Sequence, residues 1–288
     1  MVYSLVNGQS GDQLSVFDRG LAYGDGLFET LRLVNGQPLL LSLHLARLQE
    51  GCQRLALQLD SSALLAEIQQ LCQVSTCQDQ VLKIIISRGA GGRGYKPTAG
   101  LAANRILMLL PFVEDVEAIS HGIQLYNCQT LLARQPLLAG LKHLNRLEQV
   151  LAAAELPQNC TEGLMRDSSG HVIEGTRSNL VLVLDDQRVT PDLSQCGING
   201  VLRQWLCSVA GVSCRTVTLP MLLAATEVFM CNSVFGIYAV TALLDSQRCL
   251  ATFTPGVHTR ACQSGFAALL QATGKTDGAA VPADVRVP

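Results

Sequence analysis

The sequence predicts an α/β protein made of two units. Apolar runs typical of buried strands alternate with stretches of helical spacing. The polar, acidic residues 111–117 separate two such series, and 48% of the 288 residues are hydrophobic, which is enough for two cores. We predict an N-terminal α/β domain at 1–115, a linker at 116–120, a second domain at 121–272 and a loose tail at 273–288.

The N-terminal unit begins with a strand and continues through a glycine-rich turn into a second one. Residues 27–34 alternate like a strand, and Asn35-Gly36 predicts a hairpin after it. Ser42 is expected to cap the following helix, because its hydroxyl can accept a hydrogen bond from the first turn. The unit is completed by strands at 1–8, 81–87 and 106–110 and a helix at 61–73.

The second unit repeats this alternation of strands and helices. Residues 163–174 predict a hairpin that turns at Ser169-Gly170. The other expected elements are strands near 123–126, 180–184, 228–231 and 237–243 and helices near 145–155, 201–209 and 257–272.

Charge and hydropathy exclude several classes of protein. The net charge of −2 and the lack of a lysine or arginine run do not indicate a surface that binds nucleic acid. Mean hydropathy is +0.27, yet no uninterrupted apolar stretch reaches the ~18 residues of a membrane span, and the N-terminus lacks signal-peptide character. Eleven cysteines without a C-x-x-C pair indicate reduced thiols, so we expect a cytoplasmic protein. The five histidines have no metal-ligand spacing, and we predict no metal site.

Lys142 is the most informative single residue. It lies among apolar neighbours, which include Leu138, Leu141 and Leu144. Loss of hydration lowers the pKa of a lysine, and a free amine is the nucleophile that Schiff-base chemistry requires. The alternative is a lysine at the start of an amphipathic helix whose ammonium group reaches water.

The segment Gly140–Val150 resembles the cofactor-lysine segment of the fold type IV pyridoxal-phosphate enzymes, and most closely that of the 4-amino-4-deoxychorismate lyases. This resemblance implies the two-domain α/β architecture of the D-amino acid and branched-chain aminotransferases. It also implies pyridoxal 5'-phosphate as cofactor, Lys142 as the residue that binds it covalently and catalyses the reaction, and a homodimer.

Further segments resemble the same family and imply the other cofactor contacts. Glu174 begins a segment similar to the family's E-G-x-x-x-N, in which the glutamate contacts the pyridine nitrogen. Arg47 matches the family's phosphate arginine. Val201 and Leu202, at a predicted helix start, would bind the phosphate through backbone amides, and Ser233 through its hydroxyl.

The glycine-rich residues 88–97 provide the expected substrate contacts. This segment resembles the corresponding one of the aminodeoxychorismate lyases, and we predict that Arg93 and Tyr95, with Arg88 as a weaker candidate, bind a substrate carboxylate. The D-amino acid aminotransferases have Arg-x-His in a comparable place, and Tyr95 replaces that histidine. A surface loop without function is the alternative.

The function implied by the resemblance is conversion of the small molecule 4-amino-4-deoxychorismate to 4-aminobenzoate and pyruvate, a step of folate biosynthesis. Two other hypotheses stay open. One is a D-amino acid or branched-chain aminotransferase on the same fold, and the other is an inactive homologue that binds no cofactor.

Overall fold

Two β-sheets organise the computed structural model, which describes residues 3–75, 79–246 and 248–275. The strands of the first sheet are β1 (Tyr3–Val6), β2 (Gln9–Ser10), β3 (Gly26–Val34), β4 (Gln37–Pro38), β5 (Asp79–Ser87) and β6 (Asn104–Pro111). Their order is β2-β1-β6-β5-β3-β4, and all neighbouring pairs are antiparallel. The helices of this unit are α1 (Arg19–Tyr23), α2 (Leu41–Arg54) and α3 (Ser61–Val74).

Strand β3 separates the core of the first unit from the functional cavity. Side chains of a strand alternate between its two faces. Leu31 and Leu33 are buried in the core that α2 and α3 cover. Phe28 and Thr30 are on the opposite face, where they line the cavity. The predicted strand and its hairpin are both present, since β3 pairs with β4 across Asn35-Gly36.

The start of α2 differs from the prediction. Ser42 lies inside the first turn, and the N-cap is Leu40, which has a φ of 53° and makes no side-chain cap. Leu39 is buried against residues of the second unit, and Leu41 is buried in the first core. The chain therefore turns at Leu40 to bury both neighbours, and the prediction that Ser42 caps the helix is wrong.

The second sheet has ten strands and contains both parallel and antiparallel pairs. Its strands are β7 (Ile123–Leu132), β8 (Glu162–Asp167), β9 (His171–Gly175), β10 (Asn179–Leu184), β11 (Gln187–Pro191), β12 (Ser213–Arg215), β13 (Val217–Thr218), β14 (Glu227–Asn232), β15 (Gly236–Leu244) and β16 (Cys249–Thr252). The order is β12-β11-β10-β14-β15-β7-β8-β9-β13, with β16 on β15. Strand β7 is parallel to both β15 and β8.

The helices of the second unit cover its sheet and include one at the predicted linker. They are α4 (Val116–His121), α5 (Leu147–Ala154), α6 (Val201–Val209), α7 (Leu219–Leu223) and α8 (Val257–Thr273). The predicted linker at 116–120 thus forms most of α4. The domain boundaries stay a prediction, and most of the predicted tail lies outside the described residues. Within the described ranges, no helix is long and apolar enough to cross a membrane.

Candidate active site

A cavity of about 680 Å³ lies between the two units. Its walls come from β3, the segment around Lys142, the turn between β9 and β10, the start of α6 and the turn between β14 and β15. Cavities of this size bind small molecules and cofactors. The charged residues that line it are Arg47, Asp115, Lys142, Arg146, Glu174 and Arg177.

The Lys142 segment is fixed by backbone hydrogen bonds to both units. The Phe28 N–H of β3 donates to the Lys142 carbonyl over 2.9 Å. The Gly140 N–H donates to the Gly197 carbonyl over 2.8 Å, and the Asn199 N–H donates to the Gly140 carbonyl over 3.0 Å. Because the segment has partners on each side, the Lys142 side chain starts from a defined position on the cavity wall.

The amine of Lys142 lies in an environment that disfavours its charge. Its Nζ is 4.3 Å from the centre of the Phe28 ring. Burial, followed by the positive charge of Arg47, lowers the pKa of Lys142 to about 8, although Glu29 and Glu174 oppose the change. About a tenth of the amine is therefore neutral and nucleophilic at pH 7, far more than for a lysine with an ordinary pKa.

Arg47 is held at the cavity by a buried carboxylate. Its Nε donates to Glu29 Oε1 over 2.8 Å, its Nη2 donates to Glu29 Oε2, and its Nη1 donates to the Asn199 carbonyl over 2.9 Å. Burial would raise the pKa of Glu29, but Arg47 and His44 together lower it to about 2. The carboxylate thus stays charged and orients the guanidinium, whose remaining N–H groups can bind an anion.

The N-terminus of α6 offers backbone donors to the same part of the cavity. Gly200 is the N-cap and has no side-chain cap, and the first N–H groups of a helix have no acceptor within it. A Cβ atom on Gly200 would lie 1.9 Å from Asn179 Oδ1, so a larger residue would have to displace the Asn179 side chain that bonds to the Ile198 carbonyl. Val201 lines the cavity, whereas the Leu202 side chain is buried in the core, which leaves only its backbone amide for a ligand.

Glu174 presents a buried carboxylate to the cavity. Its Oε2 accepts a hydrogen bond from the Ile198 N–H over 2.7 Å. Its Oε1 is buried and has no hydrogen-bond partner among the described residues. Burial raises the pKa of Glu174 to about 7, although the Ile198 N–H, the charges of Arg146 and Lys142 and the nearby Gln149 side chain oppose this. An unpartnered, buried acceptor is costly, so this oxygen suits an N–H group of a ligand.

Ser233 lies in the turn between β14 and β15, where its neighbour Asn232 fixes the backbone. Asn232 Oδ1 accepts hydrogen bonds of 2.9 Å from the N–H groups of Val234 and Phe235. The Ser233 hydroxyl donates to the Thr30 carbonyl over 3.3 Å and lies at the cavity wall. The single hydroxyl proton can turn from this long hydrogen bond to donate to a bound anion instead.

The three residues predicted to bind substrate do not line the cavity of this chain. Arg88 Nε donates to Asp25 Oδ2 over 2.7 Å, and its other nitrogens donate to the carbonyls of Leu55 and Ala56. Its guanidinium is thus engaged in structural contacts. Arg93 and Tyr95 are exposed in the loop between β5 and β6.

Several cavity residues were absent from the predicted site. Phe28 and Thr30 could have been predicted as lining residues from the alternation of β3, but only once the face that carries them is known to meet the second unit. Asn179 donates to the Ile198 carbonyl over 2.9 Å and so fixes the same loop as Glu174. Asn179 could have been predicted from the sequence, because it is the last residue of the E-G-x-x-x-N segment. Arg177 lies in that segment too, and Arg146 follows Lys142.

Comparisons with known proteins show the family to which this chain is related. Residues 26–243 match the family model of amino-transferase class IV. The chain is 34% identical over 249 residues to an aminodeoxychorismate lyase of Vibrio harveyi, with 83% of this chain and 90% of the relative covered. It is 47% identical to the crystal structure of 4-amino-4-deoxychorismate lyase from Pseudomonas aeruginosa, with a TM-score of 0.86, covering 91% of this chain and 97% of that one.

A more distant structure supports the fold alone. The branched-chain amino acid aminotransferase of Escherichia coli has a TM-score of 0.82 at 22% identity, and 96% of each chain is covered. The predicted α/β architecture of fold type IV is thereby confirmed. The chain belongs to the amino-transferase class IV family.

Proposed function

We propose that this protein is a pyridoxal-phosphate-dependent lyase that converts 4-amino-4-deoxychorismate to 4-aminobenzoate and pyruvate. The observation that supports this most is the 47% identity to the Pseudomonas aeruginosa lyase over 91% of the chain. Lys142 and Glu174, which face one cavity, supply the chemistry that such a reaction needs. The direct test is incubation with enzymatically prepared substrate, followed by measurement of both products.

The residues of the cavity fit the cofactor. Glu174 Oε1, buried and unpartnered, matches the protonated ring nitrogen. The phosphate would be held by Arg47, Ser233 and the backbone amides of Val201 and Leu202. Lys142 provides the amine for the aldehyde. When bound, the cofactor supplies an electron sink for the carbon that carries the substrate amine.

Lys142 then has two roles in sequence. Lys142 would hold the cofactor at rest, and once the substrate is bound the Lys142 amine would be available as a base. It removes the proton from the ring carbon that bears the nitrogen. The bond between the neighbouring ring carbon and the ether oxygen breaks, the ring becomes aromatic, and enolpyruvate leaves and tautomerises to pyruvate. One side chain thus serves as nucleophile and as general base.

The lowered pKa of Lys142 predicts how covalent cofactor attachment depends on pH. Only the neutral amine reacts, so the rate constant of attachment to the apoprotein should rise with pH and level off above about 8. A lysine with an ordinary pKa would keep rising to about pH 10. Stopped-flow absorbance of apoprotein mixed with pyridoxal 5'-phosphate measures this. A rise that continues unchanged through pH 9.5 would contradict the assigned environment of Lys142.

Two other functions have less support. An aminotransferase of this family would transfer the amine to a keto acid, but Tyr95 stands where D-amino acid aminotransferases have the histidine of Arg-x-His. Amine transfer that requires an added keto acid, without formation of 4-aminobenzoate, would favour that alternative. An inactive homologue without cofactor would show no visible absorbance and no change after borohydride reduction.

We further propose that the protein is a homodimer in which Arg93 and Tyr95 of one subunit contact substrate in the other. Both side chains are exposed here and away from this chain's own cavity. Arg19 donates to the carbonyls of Gly94 and Tyr95 over 2.8 Å, so the loop has a supported conformation in which to present them. A guanidinium matches a carboxylate well.

Arg93→Ala is expected to lower kcat/KM roughly 10- to 100-fold, from loss of a charged hydrogen bond, without changing cofactor binding. Mixing this variant with Lys142→Ala tests the role of the partner. A mixed dimer has one site with an intact Lys142 and an intact Arg93 from the other subunit, so activity should exceed that of either variant alone. No recovery in verified mixed dimers would assign Arg93 to its own subunit or to structure.

We also propose that the protein works in a reducing, cytoplasmic setting. Ten cysteines of the described chain are free thiols, and six of them are buried. Burial raises the pKa of Cys52 to about 11 and that of Cys128 and Cys231 to about 12. Such thiols stay protonated and unreactive, as expected of cysteines that serve only in packing.

A further inference from the structure

Arg146 and Arg177 are the two lining cations of the described residues to which the proposed mechanism gives no role. Four cations line the cavity: Arg47, Lys142, Arg146 and Arg177. Arg47 is assigned to the phosphate and Lys142 to the chemistry. Arg146 Nε donates to the His143 carbonyl over 3.0 Å, and its Nη2 lies against the His143 ring nitrogens. Arg177 is left for the substrate.

The guanidinium of Arg177 has free donors. Its Nη2 donates to the Thr161 carbonyl over 3.1 Å. Its Nε is 3.8 Å from Glu162 Oε2, which is longer than a hydrogen bond. Its Nη1 has no hydrogen-bond partner in the described part of the chain. The side chain is 60% exposed, so a carboxylate in the cavity can reach Nη1 and the second N–H of Nη2.

The backbone that carries Arg177 is rigidly held. Glu162, which is 1% exposed, accepts hydrogen bonds from the Thr176 N–H over 2.8 Å and the Ser178 hydroxyl over 2.6 Å. Asn232 Nδ2 donates to the Arg177 carbonyl over 3.2 Å. Three hydrogen bonds to two residues, Glu162 and Asn232, therefore fix the turn on both sides of Arg177. Because this backbone is already ordered, only the side chain has to lose conformational entropy when it binds a ligand.

A flat apolar surface lies beside this cation. The rings of Phe235 and Tyr238 stack, with centroids 4.2 Å apart and planes inclined by 13°. The Arg177 Cζ is 5.9 Å from the centre of the Phe235 ring, and all three residues line the cavity. A flat ring with a carboxylate at one end matches such a surface, because the ring packs on the aromatic side chains while the charge meets the guanidinium.

We propose that Arg177 binds the ring carboxylate of the substrate, an inference that rests on the proposed function. In 4-amino-4-deoxychorismate the amine and the ring carboxylate occupy opposite ends of the six-membered ring. When the amine faces Lys142, the ring carboxylate points away from Lys142, and Arg177, which lines the same cavity and has free donors, is the cation proposed to meet it. The enolpyruvyl carboxylate is next to the amine and is left for other donors. Arg177 thus determines specificity for a ring that carries a carboxylate.

The test compares Arg177→Gln and Arg177→Lys with the wild-type holoenzyme. Arg260→Gln is the matched control, because Arg260 is an exposed arginine on α8 outside the cavity. Arg177→Gln should raise KM for the substrate roughly 10-fold, the loss of one charged hydrogen-bond pair, with little change in kcat. Arg177→Lys should recover part of this loss, and Arg260→Gln should match the wild type.

Binding of a ligand pair separates recognition of the carboxylate from packing. 4-Aminobenzoate and 4-aminobenzamide differ only at the far end of the ring, where a neutral amide of similar shape replaces the carboxylate. Titrations followed by the absorbance of the bound cofactor should show that the wild type prefers 4-aminobenzoate and that Arg177→Gln loses this preference.

If Arg177→Gln weakens the binding of both ligands equally, or leaves the preference for 4-aminobenzoate unchanged, the assignment of Arg177 is overturned. Absence of 4-aminobenzoate formation by the wild type would instead reject the proposed lyase function. The titrations need no turnover, so they would still decide whether Arg177 recognises the carboxylate.

Discussion

Replacing Lys142 with alanine should abolish turnover and covalent cofactor attachment. Loss of the general base alone typically costs about 10²- to 10⁴-fold, and loss of the nucleophile removes the step that loads the substrate amine, so activity should fall below detection. The fold should persist, because the Lys142 backbone, rather than its side chain, makes the hydrogen bond to Phe28 in β3. Product formation, together with borohydride trapping of the cofactor, measures both effects.

Two controls distinguish chemistry from damage to the fold. Lys275→Ala removes an exposed lysine just beyond α8 and should leave activity unchanged. Lys142→Ala should keep a wild-type melting transition and should bind the cofactor noncovalently through Arg47 and the start of α6. Near-native turnover by Lys142→Ala would remove the residue from the centre of the site.

Local sequence patterns predicted most of the elements that build this site. The alternation of residues 27–34 gave β3, and the helix expected near 201–209 is α6 over the same residues. The predicted start of α2 was wrong because the preference of serine for the N-cap position stabilises the fold less than burial of two leucine side chains. Leu39 and Leu41 enter two different cores, and this long-range packing, which no local pattern encodes, decides where the chain turns.

The parts of the site that depend on contacts between the units could not be predicted in the same way. Lys142 and Glu174 could be found because each lies in a segment typical of the family. Phe28 faces Lys142 only because β3 pairs with a segment more than 100 residues later, as the Leu27–His143 bridge shows. Arg88 has the charge of a substrate ligand, but its acceptors are fixed by the fold of the first unit.

The second large effect is expected from Glu174→Gln. Glutamine keeps the shape of the side chain and can still accept the Ile198 N–H, so the loop before α6 should hold its position. A neutral amide cannot stabilise a protonated ring nitrogen as a carboxylate does. Turnover should fall roughly 10²- to 10³-fold, the usual cost of removing one group that stabilises developing charge, while covalent attachment to Lys142 persists.

The pH dependence of cofactor binding tests whether the charge of Glu174, rather than its shape, is what the cofactor ring requires. Burial raises the pKa of Glu174 to about 7, so the carboxyl of the apoprotein is largely protonated below that pH. A cationic ring favours the ionised form, so cofactor affinity through this contact should increase as the pH rises through about 7. Glu174→Gln has no group to titrate there and should lose this part of the pH dependence.

Glu50→Gln, the same change on the exposed surface of α2, is the control and should retain the pH dependence of cofactor binding. Unchanged turnover and an unchanged pH profile in Glu174→Gln would show that Glu174 does not contact the ring.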